Sequence, residues 1–207
     1  MTNAYAKPQA VHGYDLNPPH DAPSKPYPSH SPGPVDWADM LVGQHVQIGH
    51  AMIYGDPFNI RIGDNVRIDD FCVIVANGPL TIGNHVHFAP HCVIQAGGGI
   101  EIADFCAFSS GTKLITNSDD YSGAYMTGPT LPAYVRSSIK RPIKIGKHVI
   151  LGVNTTVLPG VTIGEGCATG AHTLVIKSLA PWGIYVDTPA RRLKDRLKGC
   201  LDLEAKL

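Results

Sequence analysis

The chain has 207 residues, 43% of them hydrophobic, and its seventeen Lys and Arg balance seventeen Asp and Glu. That is enough apolar material for one sizeable core, and zero net charge leaves no electrostatic footprint for nucleic acid or an anionic membrane. No apolar run approaches the roughly 20 residues of a membrane span, and the N-terminus lacks the order of a signal peptide, so a cytoplasmic protein is expected.

Residues 1–40 are dense in Pro, with scattered His and Ser and no apolar period, which predicts an irregular arm. Tyr5, Tyr14, Tyr27 and Trp37 give it groups with which to dock on a body. His12, His20 and His30 are too far apart in such a segment to argue for a metal site.

Over residues 41–180 the chain repeats. VGQHVQIGHAMIYGDPFNIR, IGDNVRIDDFCVIVANGPLT, IGNHVHFAPHCVIQAGGGIE and IADFCAFSSGTKLITNSDDY each begin 20 residues after the last. Within a block the unit is six: a large apolar residue, often Gly, Ala or Asp, two turn-formers, a small or β-branched residue and a variable one. From residue 145 to 180 come IGKHVI, LGVNTT, VLPGVT, IGEGCA, TGAHTL and VIKSLA without spacers. Three such hexads make a coil of three short strands, and successive coils stack as parallel sheets about 4.8 Å apart. The predicted class is therefore an all-β solenoid. Cys72, Cys92, Cys106 and Cys167 all take the small inward position, and only Cys200 lies outside the repeats. Their common phase predicts core packing rather than a metal cluster or disulfides.

These hexads resemble the hexapeptide-repeat acyltransferases, and the ending VILGVNTTVLPGVTIGEGCATGAHTLVIKSLAPWGIYVDTPARRLKDR is similar to that of sugar acetyltransferases of the maltose, galactoside and O-antigen-modifying type. The resemblance implies a left-handed parallel β-helix, a homotrimer, and an acetyl-CoA groove lined by the last coils and a C-terminal helix between subunits. It assigns Gly152, Ala171, His172, Lys177, Arg191 and Arg192 to the coenzyme, and calls for no metal. Residues 181–207 are expected to form a turn and a helix, with Thr188 as N-cap, Pro189 in the first turn and Arg191, Arg192, Lys194, Arg196 and Lys198 on the helix; a solvated helix face is the plainer reading of that basic run.

The pattern breaks at residues 117–142. An insertion between coils leaves stacking intact, and a loop of that length is usually functional. In the resembling enzymes it reaches over the acceptor, so Asn117, Asp120 and Tyr121 become candidate substrate ligands here. The same alignment puts Asp119 where those enzymes carry a catalytic His. A turn shaped by Asp is the plainer alternative. His148 and His91 are then the first candidates for a general base, with His87 behind them as a base and otherwise a substrate ligand; His85, His91 and His148 sit at the fourth, turn position of a hexad and are expected to face outward.

The favoured function is transfer of an acetyl group from acetyl-CoA to a hydroxyl of a sugar, in surface-polysaccharide biosynthesis. The alternative is N-acetylation of a nucleotide-linked amino sugar, for which Asp119 is the better suited group. A serine-type or antibiotic acetyltransferase, and a zinc-dependent carbonic-anhydrase-like β-helix using His85, His87 and His91, remain as rivals, because a fold does not fix a substrate.

Overall fold

A computed structural model describes residues 40–207, so the predicted arm over residues 1–40 falls, but for its last residue, outside the described part. Short strands pair in three sheets of six, eight and six strands, all parallel except for the last strand of the eight. The fold is a left-handed parallel β-helix. Ile62, Ile82, Ile102, Ile145 and Ile163 stand in register on the first sheet, twenty residues apart up to Ile102 and eighteen apart from Ile145. That is the periodicity of the sequence. The third sheet stacks Ile74, Ile94, Leu114, Val157 and Val175 in the same way.

Inward positions hold the core: Phe88 and Phe108, both buried, lie face to face with ring centroids 4.6 Å apart. Cys72, Cys92, Cys106 and Cys167 are buried free thiols, as their phase predicts. Third-position side chains tie one coil to the next, since Asp64, Asn84 and Asp104 each accept, at 2.7 Å, the backbone N–H of Gln44, Asp64 and Asn84 respectively. At corners, where the strand ladder stops, such side chains supply the partners that backbone donors lack.

The fourth position has a backbone reason. His45, Asn65, His85, Phe105 and His148 at one corner, and Phe71, His91, Asn154 and His172 at others, have φ between 55° and 65°. Asn and His are enriched in that left-handed region. Side chains there stack along the axis: His85 on Phe105 at 4.9 Å, Phe105 on His148 at 5.3 Å, and Phe71 on His91 at 5.2 Å.

The chain divides into two units, and the described parts of these are residues 119–139 and the β-helix with its C-terminal segment. At the insertion, Asn117–Asp119 and Ser138–Lys140 pair as a two-stranded sheet, and a short 3-10 turn spans Ala133–Val135.

The C-terminal expectation is corrected in part. Arg191–Asp195 is a strand, not a helix, and runs antiparallel to Gly183–Val186; the helix comes later, at Gly199–Glu204. The Thr188 hydroxyl donates to the His172 carbonyl at 2.8 Å instead of capping a helix. Strand Gly183–Val186 ends the parallel stack, and pairing with residues 191–195 satisfies backbone groups that a helix would leave open. No helix among the described residues is long and apolar enough to cross a membrane.

Candidate active site

Three histidines of the β-helix meet a carboxylate, and exposure separates them. His50 Nδ1 lies 3.2 Å from Asp70, on a side chain that is 93% exposed. His148 Nε2 lies 2.7 Å from Glu204 and is only 7% exposed, which corrects the expectation that it faces outward. His87 Nε2 lies 2.9 Å from Asp69 Oδ2, with the imidazole 45% exposed. Asp69 also accepts from Arg67 Nε at 2.6 Å. The hydrogen bond from His87, seconded by Arg67, holds the Asp69 carboxyl below its usual range.

His148 is built into a clasp. Its ring stacks on Phe105, Glu204 of the terminal helix bonds both it and Lys147, and Arg196 donates to the carbonyls of His148, Gly166 and Cys167. Its burial follows from residues 196–204 folding back on this corner. His91 is exposed, with its ring against Phe71. His85, His87 and His91 thus face Phe105, Asp69 and Phe71, and among the described residues no three His, Cys, Asp or Glu groups converge as a metal site.

Within the insertion, Asp120 accepts from Ser122 N at 3.0 Å, Ser122 Oγ at 2.7 Å and Tyr125 N at 3.3 Å. The Ser122 hydroxyl, then its N–H, keeps this carboxyl below the ordinary range. Asp120 therefore shapes the loop, as an Asx turn does. Asp119 accepts from Gly128 N at 3.2 Å and is exposed, and Tyr121 is 93% exposed. Asn117, half-buried, begins the insertion's first strand.

In the last coils, Gly152 is confined: a Cβ there would lie 2.6 Å from the backbone of Gly170. Ala171, His172 and Lys177 are exposed, as are Ile176 beside Lys177 and Val153, whose carbonyl accepts the His172 N–H at 2.7 Å. The two arginines are already engaged. Arg191 makes two bonds to Asp187, and Arg192 bonds Tyr185 Oη at 3.0 Å and Asp195 at 2.8 Å. Sequence reasoning missed Asp69 and Glu204, and placed Arg196 only in a basic run, not against the His148 corner. Asp69 had one signal, a carboxylate in a second position that usually holds Gly, eighteen residues before a histidine of the next coil.

Residues 142–177 match the bacterial transferase hexapeptide family of six repeats. The chain is 36% identical, over 79% of its length and 86% of the relative's, to a dTDP-4-amino-4,6-dideoxy-D-glucose acyltransferase of Escherichia coli. The chain belongs to the hexapeptide-repeat acyltransferases. This acyltransferase also superposes on AntD, an N-acyltransferase from Bacillus cereus solved with dTDP and 3-hydroxybutyryl-CoA, with a TM-score of 0.75 and 37% identity, covering 82% of this chain and 90% of that one. A variant of AntD solved with dTDP-4-amino-4,6-dideoxyglucose and coenzyme A gives 0.73 and 38%, over 80% and 88% of the two chains.

The clasp of this acyltransferase is expected to respond to acid. Glu204 is held below its usual value first by Lys147 and then by His148. A carboxyl depressed on folding stabilises above its unfolded pKa, and that contribution is lost as pH falls through the folded one. Lowering the pH below the ordinary glutamate range is therefore expected to loosen residues 196–204 before the β-helix melts. Hydrogen exchange on Gly199–Glu204 measures this, and Glu204→Gln should abolish the acid step by loosening the segment already at neutral pH.

Proposed function

We propose that this acyltransferase moves an acyl group from a coenzyme A thioester to the amino group of a nucleotide-linked 4-amino-4,6-dideoxyhexose. The supporting observation is likeness along four-fifths of the chain both to an enzyme acting on such a sugar and to one solved with the sugar and coenzyme A bound. This favours the amine over the hydroxyl that sequence reasoning preferred.

The chain's own residues suit both substrates. Exposed Val153 and Ile176 offer apolar contact for the pantetheine arm, and the Lys177 ammonium, without an ion-pair partner among the described residues, suits its phosphates. His172 and Ala171 belong to the same groove, whereas Arg191 and Arg192 would have to exchange carboxylate partners to join it. Asp119 is assigned to the amino sugar, as a carboxylate that attracts and orients the amine. The neutral amine attacks the thioester carbonyl, the C–N bond forms, the C–S bond breaks, and the amine's proton ends on the departing thiolate. Backbone N–H groups stabilise the transient oxyanion.

A homotrimer and a cytoplasmic location belong to the same reading. Exposed Ile150, Val153 and Ile176 on the late coils support the former.

The test is thiol release from acetyl-CoA and 3-hydroxybutyryl-CoA with nucleotide-linked amino sugars, their hydroxyl counterparts and unactivated sugars. Turnover is expected with the nucleotide-linked amine alone, giving a product stable to hydroxylamine, as an amide is and an ester is not. A hydroxylamine-labile product, or turnover only of hydroxyl acceptors, would return the function to O-acylation.

A further inference from the structure

We propose that His87 takes the proton from the attacking amine and that Asp69 positions its imidazole for this. The inference rests on the amine-acceptor reading above. It starts from the comparison of the three histidine–carboxylate pairs. A general base must touch the substrate and yet be held in one tautomer by a partner. His148 is too buried to touch anything outside its clasp, and His50 is so exposed that water competes with its carboxylate. His87 alone of the three is half-exposed on a carboxylate that is itself only 16% exposed.

Its setting supports the role. His87 projects from strand His87–Phe88 on the outer face of the second sheet, in register with Arg67 before it and Ala107 after it. The charged groups facing it are therefore Arg67 and Asp69 from the preceding coil, and the following coil presents a methyl group. Asp70, next in sequence to Asp69, turns instead to His50. Arg67 and Asp69, but not His87 itself, line a cleft of about 920 Å³, together with Gln47, Ile68, Asp70 and Pro90. The cleft has the size of a site for a small molecule.

The chemistry follows from the hydrogen bond. With Nε2–H donating to Asp69, the lone pair sits on Nδ1, which has no hydrogen-bond partner among the described residues. When the amine nitrogen bonds to the thioester carbon it becomes cationic. Nδ1 removes that proton as the C–S bond breaks, and the imidazolium, stabilised by Asp69, returns it to the thiolate. Arg67 keeps Asp69 ionised and fixed, so the carboxylate remains an acceptor throughout.

The experiment compares His87→Ala, His87→Gln, Asp69→Asn and, as control, His50→Ala, on the acceptor that the wild-type enzyme turns over best in the panel above. His87→Ala and His87→Gln should lower kcat about 10²- to 10³-fold, with acceptor KM within about twofold and an unchanged melting midpoint. Added imidazole should restore part of the His87→Ala rate and none of the Asp69→Asn rate. Asp69→Asn should lower kcat at least about tenfold at unchanged KM, because an amide that donates to Nε2 imposes the wrong tautomer, and His50→Ala should be silent. Retention of kcat within threefold in both His87 variants overturns the proposal, and so does a loss without imidazole rescue. Failure of the wild type on the amino sugar would refute only the acceptor reading, since the variant ratios are then read on the acceptor that is used.

Discussion

Cys106→Asp is expected to prevent stable folding at 37 °C, whereas Cys106→Ser and Cys106→Ala keep the fold. The thiol is 1% exposed and donates to the carbonyl of Gly146 at 3.2 Å and, more loosely, to that of Asp104. Burial pushes it up to about 12, a direct sign that the site resists negative charge. A carboxylate there would face the carbonyl oxygens of Gly146 and Asp104, at a cost of about 3–5 kcal/mol. Total stability for a domain is only about 5–15 kcal/mol, so one such change decides the outcome. Serine retains a donor toward Gly146, and alanine leaves a small void of about 1 kcal/mol. Chemical denaturation of the three variants measures the order; equal midpoints for Asp and Ala would mean that position 106 does not face the core.

That prediction stands on the part of the structure most legible in sequence. Cys106, Val66 and Ile62 declare their direction because an inward residue must be apolar at every coil, and a fixed period repeats the requirement many times over. The insertion is legible for the converse reason, since the stretch 117–142 breaks a period that resumes in the same phase at Ile143–Ile145. What the period does not carry is the behaviour of chain outside it. Residues 191–195, rich in Arg and Lys, read as helix by propensity, yet the open edge of strand Gly183–Val186 outweighs that preference. The same holds for His148. Its position in the turn is fixed by the hexad, but its burial comes from Arg196 and Glu204, roughly fifty residues later. The pairing of His87 with Asp69 depends on side-chain reach across a coil boundary, which a one-dimensional pattern does not contain.

Asp119→Asn is expected to raise the acceptor KM at least about tenfold while leaving the KM for the acyl donor within about twofold. The two aspartates of the insertion separate in role by their partners. Asp120 spends its carboxylate on Ser122 and Tyr125, so its substitution should disorder the turn and expose residues 120–128 to proteases. Asp119 is exposed and accepts from Gly128 N–H, a contact that the amide oxygen of Asn can keep. Asp119→Asn therefore keeps that contact while removing the negative charge. A charge that attracts and holds an ammonium sugar before it is deprotonated acts on ground-state binding, which appears in KM rather than in kcat. Donor binding, assigned to Lys177 and the last coils, should be untouched, and Lys177→Ala should show the reverse pattern. Steady-state kinetics in both substrates distinguishes the cases: an unchanged acceptor KM in Asp119→Asn would make the whole insertion a structural loop, and a fall in kcat alone would move Asp119 from binding into the chemical step.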